Sequence, residues 1–393
     1  MKIFHTADWH LGKLVQGVYM TNDQRFVLQQ FIQDIEQEQP DVVIVAGDLY
    51  DRAVPPTEAV QLLDEVLETI VLKLKIPVLA IAGNHDSPSR LHFGSKIMEQ
   101  NGLHMAGRLT KELQPVILHD AFGPVHFHLV PYCDPSMVRN VFDDEEVRSH
   151  QDAARKIMTE IKAELDLNAR HVLIGHAFVT PFGDEEENTS DSERPLSIGG
   201  AEYVDAQLYS DFHYTALGHL HQAHYVMKEK IRYAGSILKY SISEEHHRKG
   251  YSIVELGQNG DVKITKKELI PKRDMRTVEA TMSELLTHSI CDDYVFVRLL
   301  DETPILSPME KIRSVYPNAM HVERKQIITQ SIATTKKTRS KMSDLELFQS
   351  FYEQVKGERV TEETERIFKE VVDELLQDEN ETTAQPQREF VPN

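Results

Sequence analysis

Short apolar runs alternate with longer segments of helical periodicity in the amino-terminal part of the chain. The runs are Lys2–Phe4, Val42–Ala46 and Pro77–Ala82. A run such as Val42–Ala46, without alternation, is typical of a strand buried on both faces because helices cover its sheet on each side. Residues 23–37 and 57–73 carry apolar side chains at helical spacing, with Pro40 ending the first segment and Thr57 capping the second. The pattern predicts β-α-β units and an α/β fold.

The middle of the chain continues with apolar runs that extend this first region to about residue 270. Strands are predicted at 116–118 and 125–130, in a second sheet, and then near 171–176, 214–217, 231–238, 250–256 and 261–270, with a helix over 151–165. Residues 183–194 are mostly polar and acidic, which predicts a mobile surface loop.

The pattern changes at about residue 271, where short strands alternate with short helices. Strands are predicted at 277–280, 293–300 and 320–323, and the two helices at the capping boxes Thr281–Glu284 and Ser307–Glu310. We therefore expect a small α/β domain over 271–335, after a first domain over 1–270. A basic linker over 336–342, a pair of amphipathic helices over 343–377 and a disordered tail over 378–393 would follow.

Composition narrows the class of protein. With 393 residues, 40% of them apolar and 27% charged, the chain has the balance of an ordinary folded protein. Two cysteines make no disulfide framework, and we find neither a signal peptide nor an apolar run of membrane-spanning length, so we expect a cytoplasmic protein. The net charge of −20 argues against a broadly basic nucleic-acid-binding surface, but it does not exclude nucleic acid as a substrate.

Five of the predicted strands end in side chains that can bind metal ions. These side chains are Asp8, His10, Asp48, Asn84, His85, His176, His219 and His221. Each has an ordinary alternative, since Gly47-Asp48, for example, is also a common turn in which the aspartate caps a helix. The recurrence on five successive strands favours ligands, because the ends of strands in one apparent sheet would meet in a single crevice.

The mixture of donors indicates a particular metal chemistry. Histidines, carboxylates and an amide without any cysteine exceed what one zinc ion requires, and they favour manganese or iron over structural zinc. Two ions fit the number of ligands. Such a pair lies about 3.5 to 4 Å apart, clamps the attacking and leaving oxygens of a phosphate ester, and lowers the pKa of a bound water. We therefore expect a two-metal phosphoesterase with Mn²⁺, and with Mg²⁺ or Fe²⁺ as alternatives.

The motifs resemble those of the calcineurin-like metallophosphoesterase superfamily. Its signature appears complete and in order as Asp8-Trp9-His10, Gly47-Asp48, Gly83-Asn84-His85-Asp86, Gly175-His176 and Gly218-His219-Leu220-His221. The resemblance implies a four-layer sandwich of two sheets flanked by helices. It also implies ligand sets: Asp8, His10, Asp48 and His221 for one ion, and Asp48, Asn84, His176 and His219 for the other, with Asp48 as the bridge. His85 would contact the scissile phosphate, and Asp86 would orient its other nitrogen.

A narrower resemblance, covering nearly the whole chain, is to the SbcD family of bacterial nuclease subunits. It is carried by residues 5–12, 191–200 and 216–221 and by the order of the domains. It implies that the small domain over 271–335 caps the active site, and that the helices over 343–377 bind an SbcC-type, SMC-like ATPase. DNA would be the substrate. It further implies a homodimer within a heterotetramer, associated with the nucleoid and not with a membrane.

One segment departs from relatives of this family, and two rival functions stay open. Archaeal and eukaryotic relatives have a histidine shortly after the bridging aspartate, where this chain has Asp51 and Arg52. Asp51 has no assigned role and is as well explained by an ion pair with Arg52 or by a helix cap. The rival functions are a free-standing phosphodiesterase or phosphatase acting on small nucleotides or phosphoproteins, and a scaffolding protein with a vestigial site.

Overall fold

A computed structural model describes residues 1–182, 191, 193, 203–301, 303–324, 345, 348–349, 352–353, 359–361, 363–369 and 371. In chain order the strands are β1 Lys2–Thr6, β2 Leu14–Val15, β3 Val18–Tyr19, β4 Val42–Ala46, β5 Val78–Ile81, β6 Leu103–Ala106, β7 Val116–Asp120, β8 Gly123–Val130, β9 Arg170–His176, β10 Phe178–Thr180, β11 Tyr203–Asp205, β12 Tyr214–Gly218, β13 Tyr225–Val226, β14 Lys228–Tyr233, β15 Gly250–Leu256, β16 Val262–Glu268, β17 Met275–Ala280, β18 Tyr294–Leu299 and β19 His321–Arg324. The helices are α1 Thr21–Glu38, α2 Thr57–Leu67, α3 Pro88–His92, α4 Ser95–Glu99, α5 Pro135–Phe142, α6 His150–Ala163, α7 Met282–Leu285 and α8 Pro308–Arg313. A π-helical segment, Glu68–Lys73, extends α2.

Two six-stranded sheets form the body of the protein. The first has the order β16-β15-β1-β4-β5-β6 and the second the order β13-β14-β12-β9-β8-β7. Strands β1, β4, β5 and β6 run parallel to one another, whereas β15 pairs with β1 in the antiparallel sense. Every residue of β4 is buried, as its unbroken apolar run predicts.

The apolar core has three layers, which fix the order of sheets and helices. Between the sheets, Ile44 and Leu79 from the first sheet share a cluster with Val172 and Ile174 from the second. A second cluster joins α1 and α2 to the outer face of the first sheet, and a third joins α6 to the outer face of the second. The layers run helix, sheet, sheet, helix, and the predicted four-layer sandwich is confirmed.

The five strands that end in candidate ligands do not share one sheet. Strands β1, β4 and β5 lie in the first sheet, and β9 and β12 lie in the second. The expectation of a single sheet is therefore wrong. The apolar patterns of these strands are alike because both sheets are buried on both faces, so the pattern alone cannot assign a strand to its sheet.

The small α/β region has a parallel sheet of its own, ordered β17-β18-β19. Val295, Val297 and Ile312 belong to a separate apolar cluster there, within a compact unit that spans residues 1–325. The first predicted capping box is present, with Thr281 and Glu284 each accepting the other's backbone amide. The second is wrong, since Ser307 has a φ of 49° and no capping hydrogen bond, and Pro308 begins the helix instead.

Several other predicted boundaries shift by a few residues. Helix α1 begins at Thr21 rather than at residue 23, and α2 has Pro56, not Thr57, as its N-cap residue. Helix α6 begins after a capping box formed by Ser149 and Asp152. The strand expected near 231–238 ends at Tyr233.

The unit that spans residues 326–393 is described only in part. Residues 363–369 are helical, and the rings of Phe348 and Phe368 stack with centroids 4.0 Å apart. Ile367 and Val371 are about half exposed. The predicted linker over 336–342, the tail over 378–393 and most of the loop over 183–194 lie outside the described residues. Among the residues that are described, no helix is long and apolar enough to span a bilayer.

Candidate metal centre

The loops after β1 and β4 hold the first candidate ligands side by side. The amide of Asp8 donates to the carbonyl of Gly47 at 3.1 Å, and the amide of His10 donates to the carbonyl of Asp48 at 2.9 Å. Asp8, His10 and Asp48 have φ values of 53°, 45° and 50°, and His219 on the second sheet has a φ of 109°. Such conformations are costly for residues with a side chain and concentrate at functional sites.

One group of donors combines the two sheets. Asp8, His10 and His221 have ligand atoms within 4.8 Å of one another, and all three residues are buried. Nε2 of His10 lies 3.0 Å from Nε2 of His221 and 3.6 Å from Oδ2 of Asp48. Two nitrogens that bind the same ion, each at about 2.1 Å and with an angle of about 90° between the two bonds, lie about 3.0 Å apart. The spacing of the two imidazoles therefore suits a shared metal ion.

A second group lies on the other side of Asp48. Oδ2 of Asp48 is 3.4 Å from Nε2 of His176. Oδ1 of Asn84 is 2.9 Å from the same Nε2 atom and 3.3 Å from Nδ1 of His219. All seven residues proposed as ligands from the sequence are thus brought into one crevice where the two sheets meet, with Asp48 in contact with both groups.

The residues fit divalent metal ions. Oδ2 of Asp8 and Nδ1 of His10 are buried without a hydrogen-bond partner among the described residues. A buried carboxylate oxygen without a partner is energetically costly, and a cation at this point would relieve that cost. The donors are nitrogen and oxygen atoms only, which suits borderline and hard divalent ions.

Burial and mutual charge set the ionisation of the crevice. Burial lowers the pKa of His10 and of His219 well below the usual value, which keeps both imidazoles neutral, as metal ligation requires. Burial also raises the pKa of Asp8 to about 7, against the attraction of His176. For His176, burial opposes protonation, but the carboxylates of Asp48 and Asp8 outweigh it and raise its pKa to about 9. The proton on His176 therefore lies beside the carboxylate of Asp48, and bound cations would displace it.

His85 and Asp86 lie at this crevice, but their contacts differ from the prediction. Nδ1 of His85 is 2.8 Å from the backbone oxygen of Asp51. The carboxylate of Asp86 instead accepts the amides of Leu49, Tyr50 and Gly83 at 3.1, 3.0 and 2.9 Å. The prediction that Asp86 orients the second ring nitrogen of His85 is wrong, because Nδ1 of His85 contacts Asp51 and the carboxylate of Asp86 contacts backbone amides. Asp86 joins the loops that follow β4 and β5.

The side chain of Asp51 faces the loop after β1. Its Oδ1 atom forms an ion pair of 2.8 Å with Nζ of Lys13 and lies 3.7 Å from Nδ1 of His10. An ion pair between Asp51 and Arg52 is one alternative that the sequence suggests, but the partner of Asp51 in the structure is Lys13. Asp51, His10 and His85 also form a third group of donors within 4.8 Å.

Sequence reasoning missed the residues that support the ligands from behind. Gln24 on α1 donates to the backbone oxygens of Trp9 and His10 at 3.1 and 2.8 Å, and the hydroxyl of Tyr240 also donates to Trp9. Glu244 accepts from Nδ1 of His221 at 3.0 Å. A polar residue on the buried face of a helix is the signal that could have identified Gln24. Glu244 gave no local signal, because its partner is distant in the chain.

Comparisons with known proteins identify the family of the chain. The calcineurin-like phosphoesterase family matches residues 1–223, and the family described as the Type 5 capsule protein repressor C-terminal domain matches residues 271–356. The SbcD subunit of the SbcCD nuclease of Staphylococcus epidermidis is 38% identical over 81% of this chain and 84% of its own length. The protein of the same name from Staphylococcus saprophyticus is 32% identical over 96% of this chain and 99% of its own. A solved dimetal phosphatase from Danio rerio is 11% identical, with a TM-score of 0.37 over 69% of this chain and 96% of that one.

Proposed function

Because the chain belongs to the calcineurin-like phosphoesterase family, among the SbcD subunits of SbcCD nucleases, we propose that it is a metal-dependent nuclease that hydrolyses DNA phosphodiester bonds. Its metal ions are two Mn²⁺. When bound, the ions supply a hydroxide near neutral pH and clamp the attacking and leaving oxygens of the phosphate. The DNA substrate would bring the protein to the nucleoid.

The position of Asp48 carries the proposal. Its Oδ2 atom lies 3.6 Å from His10 Nε2 and 3.4 Å from His176 Nε2, so one carboxylate oxygen adjoins both donor groups. A site for a single ion would have no use for a second set of donors on the far side of this carboxylate. This arrangement supports a two-metal site over a single-ion site, and phosphoester hydrolysis is the chemistry that such pairs perform.

His85 is the residue proposed to act on the substrate. A backbone carbonyl only accepts hydrogen bonds, so Nδ1 of His85 carries a proton in its contact with Asp51. Nε2 is then the atom available to a phosphate oxygen, as a stabiliser of developing charge or as a proton donor. The ring of His85 packs edge-on against His10, with centroids 4.7 Å apart, which holds it beside the ligands.

The partners proposed are DNA and an SbcC-type ATPase. The half-exposed apolar side chains of Ile367 and Val371 suit a surface that another protein covers. Within the complex, two copies of this chain would pair in a heterotetramer. The net charge of −20 fits this arrangement if the ATPase supplies much of the DNA-binding surface.

Substrate choice tests the proposal directly. The purified chain with Mn²⁺ is expected to degrade linear duplex DNA and to turn over a cyclic nucleotide poorly. His85→Ala is expected to lose DNA cleavage while it still binds Mn²⁺. Faster turnover of the cyclic nucleotide than of DNA would favour the free-standing phosphodiesterase. A wild-type chain that binds no metal would favour the vestigial site.

A further inference from the structure

A buried ion pair holds the imidazole of His221 from the side away from the metal centre. Oε1 of Glu244 lies 3.0 Å from His221 Nδ1, and Oε2 lies 2.5 Å from Nζ of Lys249. Glu244 is 0% exposed and Lys249 only 7%. Burying two charges carries a desolvation penalty that their attraction seldom exceeds, so the pair is weak evidence for stability. Its contact with His221 indicates a role at the metal centre.

The contact with Glu244 fixes the tautomer of His221. A carboxylate oxygen accepts hydrogen bonds, so Nδ1 of His221 donates to Oε1 of Glu244, and Nε2 is the ring atom left to face a metal ion. Nε2 of His221 lies 3.0 Å from Nε2 of His10, the other imidazole of this donor group.

Lys249 keeps this arrangement in place. Its ammonium donates to the backbone oxygen of His221 at 2.9 Å and to Oγ of Ser236 at 2.8 Å, besides its contact with Glu244. One cation thus holds both the carboxylate that faces the ring of His221 and the backbone from which the ring extends.

We propose that Glu244, held in place by Lys249, is a positioning residue that sets the tautomer and ring orientation in which His221 binds a metal ion. Carboxylates behind a ligating histidine raise its basicity, and their removal typically lowers metal affinity about 10–100-fold. The inference rests on the proposed function, because it takes His221 as a metal ligand.

Glu244→Gln tests the role of the carboxylate, with Asp120→Asn as the matched control. Asp120 is also a carboxylate paired with cations, Arg170 at 2.6 Å and the amino terminus at 2.8 Å, and its side chain is 8% exposed, but it has no contact with the predicted ligands among the described residues. Titration of the full chain with Mn²⁺ is expected to show about a 10–100-fold loss of affinity for one of two ions in Glu244→Gln and no loss in Asp120→Asn. Histidine-selective ¹⁵N spectra recorded without added metal should show changed signals for the His221 ring in Glu244→Gln and wild-type signals in Asp120→Asn.

The double variant Glu244→Gln with Lys249→Met separates positioning from folding. Removing the ammonium avoids leaving an unpaired buried charge, so folding stability is expected to recover while the affinity for Mn²⁺ stays low. The proposal is overturned if Glu244→Gln binds both ions as the wild type does, or if affinity recovers together with stability in the double variant. A wild-type chain that binds no Mn²⁺ would overturn the proposed function itself. The failure of the proposed function is thus distinguished from the failure of the positioning role, which is tested in a wild type that binds Mn²⁺.

Discussion

Gly83 lies directly against the side chain of Asp48. A Cβ atom on Gly83 would be 2.1 Å from Oδ1 of Asp48 and 2.4 Å from its backbone nitrogen. Any side chain at position 83 would therefore push the proposed bridging carboxylate away from both groups of donors. The glycine of this motif is a steric requirement of the metal centre.

Gly83→Ala is expected to weaken the binding of both ions and to lower the free energy of unfolding by about 1–3 kcal/mol, the usual cost of overpacking. Titration with Mn²⁺ and urea denaturation measure the two effects. Gly175→Ala is the matched control, because a Cβ there meets its nearest atom, in Leu217, at an ordinary 3.6 Å. Equal losses in the two variants would contradict the steric argument.

Asp48→Ala is expected to remove both metal ions rather than weaken one. The reason is that one oxygen of Asp48 adjoins His10 on one side and His176 on the other. His221→Ala should remove only the ion on the side of His10. Metal analysis of the purified variants in excess Mn²⁺ gives the number of ions bound. Retention of one ion at wild-type affinity in Asp48→Ala would rule out the bridge.

Stability should fall in acid partly because of His128. Burial lowers the pKa of this histidine to about 3, against a usual value of 6.5. His128 is therefore protonated at a lower pH in the folded chain than in the unfolded chain. The contribution of neutral His128 is complete above about pH 6.5 and is lost as the pH falls toward about 3.

His128→Leu is expected to reduce the slope of unfolding free energy against pH in this window by up to about 1.4 kcal/mol per pH unit, the value for one proton. Urea denaturation at several pH values between neutrality and about pH 4 measures the slope. His246→Leu, at a histidine that is 91% exposed, controls for the change to leucine. An unchanged slope in His128→Leu would show that other groups dominate the acid response.

Deletion of the chain after residue 340 is expected to abolish association with the ATPase and to spare manganese-dependent cleavage of single-stranded DNA. The metal centre lies within residues 1–325, a separate compact unit, so its chemistry should survive. Co-purification with the ATPase measures association. Ile367→Asp should mimic the deletion, whereas Lys369→Asp, at an exposed polar position of the same helix, should not. Continued co-purification of the truncated chain would contradict the proposal that the helices over 343–377 bind the ATPase.

The sequence by itself determined the elements and the chemical types at their ends. An uninterrupted apolar run such as Val42–Ala46 can only be accommodated where both faces are covered, and that physical requirement is local to the run. Eight candidate side chains could be named because a polar side chain that follows a buried strand stands out against its neighbours, and the resemblance to the phosphoesterase superfamily then implied which seven of them are ligands.

Only the tertiary structure decided which residues face one another. The packing of the two sheets brought His176, His219 and His221 to the ligands of the first sheet, and apolar periodicity carries no information on which strand joins which sheet. The tertiary structure also pairs Asp86 with three backbone amides, Asp51 with Lys13, and Glu244 with His221. These pairs are set by the approach of loops from distant parts of the chain, and no local pattern of residues specifies such a meeting.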